Sequence, residues 1–536
     1  MPSDTPPLAD HSPAPTSMSA ALGASFTRKE ISLLLVLTLL ALGLRLYHLS
    51  SQSLWLDEVY SVYTARVPLE QVYAYSTKVS NSLPTYFLLL SLVLPADTNK
   101  DLEWPLRVLS AVTGALSVPV FAAVVFYWLR NRTAAVSSDD QPQHPRTQFG
   151  LRTNVATALL AGLLLAVDPL HIWYSQEARA YALMLFFGLL AVLFLELEFA
   201  SRRSEWFTLY LLASVTSVVL HRSALVFPGL CCAWHAVRLV RERQRDFKQL
   251  LVHVPIAVVA LLLTFIKLNP PPEGYRHAGS VLQFGYTFMT YLGGYSFGPS
   301  LIEIQNLGPF GAVARNWFQV AVLLLVLAPI GWVCGLNWRK LVFSKEFALL
   351  AAGTGFAAGY ALVSSFAYNV RYVLPGLFGF LALLATLVVN DPQRPRLVRG
   401  TIAAVLVVSL WADGQWFYSA RYRKPDARAV AKWLVANKEH VKSWMLLPDY
   451  LRAPVQYYLL DGGKEMTDQS LTSTGQVGVS FPPVPDVLML QRRDQLDHPE
   501  KTIEAYRQAA GSIQTNYSFA GFEIYVRNWT NAVRIQ

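Results

Sequence analysis

The chain has 536 residues, of which 53% are hydrophobic and only 15% are charged. Soluble globular proteins carry about a quarter charged residues, so this deficit indicates a membrane protein and excludes a soluble enzyme or a disordered tail protein. The three cysteines all lie in apolar stretches, which argues against a disulfide scaffold or a zinc site. The net charge of +10 points first to basic cytoplasmic loops and only secondarily to nucleic acid.

The N-terminal part predicts a leader followed by a first membrane helix. Residues 1–27 are rich in Pro, Ser and Ala, which is typical of a disordered cytoplasmic leader. The apolar run 31–44 that follows is either a signal anchor or a cleaved signal peptide. We favour the anchor because no small-x-small cleavage site precedes Arg45.

Ten further apolar runs give about 11 predicted transmembrane helices in total. They lie at about 105–129, 153–167, 180–200, 207–220, 223–238, 250–266, 316–336, 346–364, 371–390 and 400–418.

The basic residues between these runs predict the orientation of the chain. With the N-terminus in the cytoplasm, the inside loops hold most of the Lys and Arg and the outside loops hold few, as the positive-inside rule requires. The inside residues are Arg130, Arg132, Arg146, Arg152, Arg202, Arg203, Arg238, Arg241, Arg243, Arg245, Lys248, Arg339, Lys340, Lys345, Arg394, Arg396 and Arg399. The basic excess is therefore topological and requires no nucleic acid. We expect a multi-pass protein of the cell inner (plasma) membrane whose C-terminal segment lies outside.

The C-terminal segment has a different pattern from the rest. Its apolar runs are only four or five residues long, and they alternate with helical patterns at 426–437 and 502–510. This alternation predicts a small α/β domain at 420–536, on the outer face. The chain as a whole is thus predicted to be a polytopic α-helical membrane protein over 28–419, with a large first outer loop at 48–104.

Asp57 and Glu58 lie in that first outer loop, at the start of a segment that fits a helix on the membrane surface. The positive end of the helix dipole favours acids in a first turn, so ordinary helix-start acids are an equally good interpretation. Further along, Asn81 and Pro84 precede the short apolar stretch 87–94, which suggests a re-entrant or surface helix. Both residues could equally be ordinary turn residues.

A second polar cluster lies between the third and fourth runs. Glu177 and Arg179 are predicted to begin a helix, which would place Glu177 and Tyr181 on one face. Polar groups between two membrane helices are costly, so their presence indicates a functional role. The alternative is a structural ion pair that fixes the loop.

Two more segments on the predicted outer side carry basic or aromatic groups. His221 and Arg222 interrupt the apolar stretch 207–238, either as a hairpin loop or as a ligand contact. Arg371 and Tyr372 open the tenth helix on the outer side. An arginine there opposes the positive-inside trend, so it indicates an anionic partner or snorkelling to lipid headgroups. Acids and isolated arginines thus collect on one side, as needed when a carboxylate deprotonates a hydroxyl and cations hold a departing phosphate.

In these residues the chain resembles the GT-C type glycosyltransferases. It is similar to the family 39 protein O-mannosyltransferases and, more closely, to bacterial relatives such as the aminoarabinose transferases and the Rgt-type galacturonosyltransferases. The Asp-Glu pair alone is a weak signal, but five features in order on one membrane side are specific. They are Leu-Trp-Leu-Asp57-Glu58, the Pro84 segment, Tyr174-Ser-Gln-Glu177-Ala-Arg179-Ala-Tyr181, Arg371-Tyr-Val-Leu-Pro375 and Tyr422-Arg-Lys-Pro425-Asp426-Ala-Arg428.

The resemblance implies transfer of a sugar from a polyprenyl-phosphate donor to a lipid, glycan or protein acceptor, with inversion at the anomeric carbon. It implies that Asp57 is the general base and that Glu58 orients the acceptor or the base. The remaining substrate-binding residues that we expect from it are Glu177, Arg179, His221, Arg222, Arg371, Tyr372 and Asn81. Many relatives have His-Pro-Pro or an acid where this chain has Asn81-Ser-Leu-Pro84. We therefore predict no metal, and no cofactor is implied.

Two other classes of protein are compatible with the composition. A polytopic transporter or flippase of a lipid-linked saccharide would more often show internal repeats and polar groups near the midplane. A purely structural scaffold does not explain why the polar residues gather on one side. The clusters at one interface, inside long outer loops, favour the enzyme.

Overall fold

A computed structural model describes residues 27–78, 82–95, 102–134, 152–201, 203–242, 247–266, 281–363, 369–460, 467–471, 481, 483–496, 498–511 and 513–527. The predicted leader, apart from Thr27, and the predicted site residue Asn81 lie outside these ranges.

Up to and including the last predicted crossing, the described part of the chain is built from helices. In chain order they are α1 (Arg28–Leu46), α2 (Leu56–Arg66), α3 (Leu69–Lys78), α4 (Thr85–Ser91), α5 (Glu103–Ala134), α6 (Thr153–Ala166), α7 (Pro169–Ser175), α8 (Tyr181–Ser201), α9 (Glu205–Leu220), α10 (Val226–Arg241), α11 (Val254–Thr264), α12 (Val281–Gly293), α13 (Leu301–Arg315), α14 (Trp317–Leu336), α15 (Trp338–Leu341), α16 (Lys345–Val363), α17 (Leu374–Asn390) and α18 (Pro395–Tyr418).

Each of the eleven predicted runs overlaps one of these helices over most of its length, and three runs begin in a 3-10 turn that precedes the helix. The sequence did not predict α12 and α13. In α12 the apolar residues are interrupted by Gln, Thr and Gly, and α13 has a break at Gly308, so neither forms a continuous apolar run.

The chain is a polytopic membrane protein. Within the described residues, six helices are long and apolar enough to cross a membrane, and α6 with α7, bent by 59°, could form a seventh. The six are Glu103–Arg132, Tyr181–Ser201, Arg222–Arg241, Phe247–Thr264, Trp317–Leu336 and Pro395–Tyr418. Large apolar side chains such as Phe265 and Leu325 are more than 70% exposed on the protein, as expected for groups that face lipid.

Helices α16 and α17 cross at unusually short range, and three glycines permit it. A Cβ at Gly353 would lie 2.3 Å from the Gly376 nitrogen, and one at Gly379 would lie 2.2 Å from the Leu350 nitrogen. Helices in membranes use small residues in this way to bring their backbones together.

The loop that carries Glu177 and Arg179 is not helical, contrary to the prediction. Helix α7 ends at Ser175 and α8 begins only at Tyr181. The Ala178 N–H donates to the Glu58 carboxylate instead of to a helical carbonyl, and the Arg179 N–H donates to the Glu177 carbonyl. A contact with another segment has therefore replaced the first helical turn.

Beyond α18 the chain forms α19 (Ala427–Ala436), α20 (Arg452–Leu459) and α21 (Pro499–Ala510) around strands β1 (Trp444–Leu447), β2 (Ser470–Leu471), β3 (Val487–Leu490), β4 (Ile513–Phe519) and β5 (Phe522–Arg527). The strand order is β2-β1-β3-β5-β4. The pairs β1–β2 and β1–β3 are parallel, whereas β3–β5 and β4–β5 are antiparallel. Strands β1 and β3 are buried along their whole length, which explains their continuous apolar sequences. The predicted α/β architecture is confirmed.

This α/β part is fixed to the first outer loop by polar contacts. The Tyr458 hydroxyl donates to the Glu103 carboxylate at 2.6 Å and accepts from the Leu54 N–H at 2.7 Å. Arg428 donates to the same Glu103 carboxylate at 2.7 Å. The start of the C-terminal segment is thereby held beside α2, which carries Asp57.

The close crossing of α16 and α17 leads to a first prediction. Gly379→Ala should lower the free energy of unfolding by about 1–3 kcal/mol, because its Cβ would meet the backbone of α16. Gly400→Ala in α18 is the matched control, since a Cβ there meets nothing within 4 Å. Thermal unfolding in detergent measures both variants, and equal stability of the two would contradict the close contact.

Candidate active site

A cavity of about 270 Å³ lies where the first outer loop, the α7–α8 loop and the C-terminal segment meet. Its polar wall includes the predicted residues Asp57, Glu177 and Arg371. Trp55 and Trp173 supply large aromatic faces, and the α/β part contributes Tyr450, Gln491 and Arg492. Residues distant in the chain therefore surround one space, as is usual for a small-molecule site.

Asp57 is the more exposed of the two acids, Asp57 and Glu177, that line this cavity. It lies in the first turn of α2, as the sequence predicted, and its side chain is 22% exposed. Its Oδ2 lies 3.3 Å from Arg371 Nη1 and 4.0 Å from Arg179 Nε. The carboxylate is thus accessible and sits between two cations.

The two arginines are held by short-range contacts of their own. Arg371 lies in a 3-10 turn in which its N–H donates to the Asn369 side chain at 3.1 Å, and its guanidinium lies over the Tyr372 ring. Arg179 Nη2 donates to the Ser82 hydroxyl at 2.8 Å. Arg179 Nη1 is buried and has no hydrogen-bond partner within the described part of the chain. A buried guanidinium nitrogen of this kind favours an anionic ligand.

Glu58 differs from Asp57 in its burial and in its hydrogen-bond partners. It is fully buried, and its two oxygens accept from Arg107 Nε and Nη2, both at 2.7 Å. It also accepts from the Ala178 N–H at 3.0 Å. Burial raises the pKa of Glu58, but Arg107, Lys424 and the Ala178 N–H outweigh burial and lower it to about 2. Such a carboxylate is saturated with donors, and this geometry favours a positioning role over direct contact with an acceptor.

The surroundings of Glu177 raise its pKa, whereas those of Glu58 lower the pKa of that residue. Its side chain is only 3% exposed, and burial, with Glu58 and Asp57 nearby, raises its pKa to about 7 against the lowering effect of Lys424. It lines the cavity. The sequence predicted Glu177 as a site residue, which stays a prediction, but it did not predict the non-helical backbone.

Lys424 is a cavity residue that the sequence interpretation did not select. Its Nζ is 3.9 Å from the Glu58 carboxylate and 4.0 Å from the Glu177 carboxylate. It follows the last predicted crossing, as a cation on the side that the sequence predicts to be outer, which is the same signal that drew attention to Arg371. Arg107, also not predicted, is the second cation of this buried group.

The other predicted residues occupy different surroundings. His221 stacks on Tyr372 with ring centroids 6.0 Å apart, and its Nδ1 is 2.8 Å from the Ser223 hydroxyl. Arg222 donates to the carbonyls of Leu263 and Ile266 at 3.0 and 2.7 Å. His221 and Tyr372 thus lie beside Arg371, whereas Arg222 ties its turn to the end of α11.

Comparisons with known proteins give the following similarities. No protein-family model and no curated protein matches the sequence. Two solved structures of ArnT from Cupriavidus metallidurans are similar. The structure bound to undecaprenyl phosphate shows 12% identity over 95% of this chain and 99% of ArnT, and the apo structure shows 13% identity over 93% and 98%. The TM-score is 0.44 for both. ArnT is an aminoarabinose transferase, one of the kinds of protein that the sequence motifs resemble.

The Glu58–Arg107 contact gives a second prediction. Glu58→Gln should lower the free energy of unfolding by about 3 kcal/mol, because it leaves the buried Arg107 without its counter-charge. Glu70→Gln, at an exposed position in α3, should leave stability unchanged. The measurement is thermal unfolding in detergent, and an unchanged melting temperature for Glu58→Gln would show that the pair does not hold α2 in place.

Proposed function

We propose that the chain is an integral-membrane glycosyltransferase that moves a sugar from a polyprenyl-phosphate donor to an acceptor hydroxyl on the outer face. The observation that carries this proposal is the placement of Asp57. Its accessible carboxylate faces the cavity, between Arg371 and Arg179. A base beside two cations is the arrangement that displacement of a phosphate by a hydroxyl requires.

In the proposed reaction, Asp57 removes the proton of the acceptor hydroxyl as that oxygen attacks the anomeric carbon. A new carbon–oxygen bond forms, the bond from the anomeric carbon to the phosphate oxygen breaks, and the configuration inverts. The electron pair of the broken bond leaves with the polyprenyl phosphate, and Asp57 ends the step protonated. All atoms and charges are accounted for without a metal or a cofactor.

Arg371 and Arg179 stabilise the departing phosphate in this scheme. Negative charge grows on the phosphate as the bond breaks, so cations that are already in place lower the barrier. Arg371 Nη1 lies 3.3 Å from Asp57 Oδ2. A bound phosphate would compete for the same guanidinium, which would free the carboxylate to accept the acceptor's proton.

Glu58 and the lipid-facing helix surfaces have supporting roles in the proposed reaction. Glu58 fixes α2 through Arg107, and α2 in turn presents Asp57 to the cavity. A polyprenyl chain would lie among the exposed apolar helix faces, which suit a lipid donor better than a soluble nucleotide sugar. We place the protein in the inner membrane with the site outside, and the acceptor is a lipid, glycan or protein hydroxyl.

A third prediction tests the general base. Asp57→Asn should lower the turnover number by about 100-fold to 10,000-fold, because an amide cannot take up the hydroxyl proton. The variant keeps the size of the side chain, so unfolding temperature and membrane insertion should not change. The assay is transfer from lipid-linked sugar by purified protein in liposomes, and Asp468→Asn, at an exposed position, is the matched control.

Near-normal transfer by Asp57→Asn would remove the catalytic assignment. The same liposomes separate the enzyme from the alternative of a transporter or flippase. An enzyme forms a glycosylated acceptor, whereas a flippase moves the lipid-linked saccharide across the bilayer without forming one.

A fourth prediction concerns donor binding. Arg371→Ala should raise the dissociation constant for undecaprenyl phosphate by about tenfold or more, because one charge-assisted contact to the phosphate is lost. Arg396→Ala, exposed on the predicted cytoplasmic side, should leave it unchanged. Lipid binding is measured by native mass spectrometry, and equal affinities of the two variants would exclude a phosphate role for Arg371.

A further inference from the structure

We propose that Lys424 and Glu177 form the subsite that binds ring hydroxyl groups of the transferred sugar. This inference rests on the proposed function and names a separate part of the same cavity. The phosphate is assigned to the arginines beside Asp57, and the sugar ring is assigned to the lysine–glutamate pair.

The Lys424 ammonium is buried without a hydrogen bond. The residue is 7% exposed and lines the cavity, and its Nζ has no hydrogen-bond partner within the described residues. An ammonium carries three N–H donors, and leaving buried donors unpaired is costly. A ligand in the cavity would satisfy them.

The distances around Nζ leave room for a bridging oxygen. Its nearest carboxylates, on Glu58 and Glu177, are 3.9 and 4.0 Å away, which is too far for a direct hydrogen bond. A sugar hydroxyl placed about 2.8 Å from both Lys424 Nζ and the Glu177 carboxylate oxygen spans such a gap. It would accept from the Lys424 ammonium and donate to the Glu177 carboxylate, so one group uses both of its hydrogen-bonding roles.

Two indole rings frame this position. The centroids of Trp55 and Trp173 are 5.6 and 5.4 Å from Lys424 Nζ, and both residues line the cavity. Trp173 is fixed by Trp416 and Tyr295 at centroid distances of 4.1 and 5.1 Å. Flat aromatic walls beside a few fixed polar groups suit a sugar ring, whose C–H groups pack on the indoles while its hydroxyls meet the lysine and the glutamate.

Glu58 and Glu177 have unequal capacity for a ligand. Glu58 is already saturated by Arg107 and the Ala178 N–H, so Glu177 is the carboxylate available to accept from a sugar. The charged groups that face Glu177 are Lys424, Glu58, Asp57 and Arg179, and burial in this group raises its pKa to about 7. The ligand's hydroxyl would therefore meet an acceptor that gains strength as the pH rises through 7.

The test compares a bare lipid phosphate with lipids that also carry a sugar. Purified wild-type protein, Lys424→Met and Glu177→Gln are titrated with undecaprenyl phosphate and with its mannosyl, glucosyl and galactosyl derivatives. The wild type should bind at least one glycosylated lipid more tightly than the bare one. Each variant should lose about tenfold or more of its affinity for that lipid and keep its affinity for the bare phosphate.

Lys432→Met, at an exposed position of α19, is the matched control and should behave as the wild type. Unfolding temperatures accompany each titration. If Lys424→Met does not fold, Glu177→Gln decides alone, since it keeps the shape of the side chain.

Three results would overturn the subsite. Equal weakening toward bare and glycosylated lipids would make Lys424 a phosphate ligand, unchanged binding of both would make the cluster structural, and a wild type without preference for any glycosylated lipid would leave no sugar subsite. A wild type that binds neither kind of lipid would instead contradict the proposed function itself.

Discussion

The buried Glu58–Arg107 contact is the interaction on which the geometry around the cavity depends. Arg107 lies in the first turns of α5 and uses all of its nitrogens: two bonds to Glu58 and three to the carbonyls of Leu49, Gln52 and Ser53. Glu58 in turn accepts from the Ala178 N–H. One ion pair therefore joins α5, the chain after α1, helix α2 and the α7–α8 loop. A pair buried this deeply is held by its full set of hydrogen bonds, because its charges have lost their water.

This arrangement explains why two adjacent acids have different environments. Successive residues of a helix point about 100° apart, so when Glu58 faces the core Asp57 must face elsewhere, and here it faces the cavity. The same contact holds the backbone between Glu177 and Arg179 out of a helix. Asp57 and the side chains it meets are thus positioned by a neighbour that does not itself reach the cavity.

The sequence predicted much of the fold, because membrane helices and buried strands leave local hydrophobic signals. It also drew attention to Asp57, Glu177 and Arg371, which line one cavity, because charges are scarce in the loops that the sequence predicts to lie outside. The sequence did not indicate Arg107 and Lys424, because their roles come from contacts with residues that are distant in the chain. Arg107 contacts a residue 49 positions away, and Lys424 contacts residues more than 240 positions away. The helix predicted to begin at Glu177 was wrong for the same reason: a distant carboxylate took the N–H of Ala178.

The degree to which each charge is compensated separates the buried Glu58–Arg107 pair from the groups to which we assign ligands. Glu58 and Arg107 are fully compensated by one another together with nearby backbone groups. Asp57 is partly exposed to the cavity, and Lys424 lies near two carboxylates without bonding either. In a low-dielectric site, a charge without a full set of hydrogen-bond partners is costly in free energy. A ligand that supplies the missing partners removes that cost and is bound more tightly as a result. Because Lys424 follows α18 in the chain, its position beside Glu58 and Glu177 requires the C-terminal segment to pack against the segment after α1 and the α7–α8 loop.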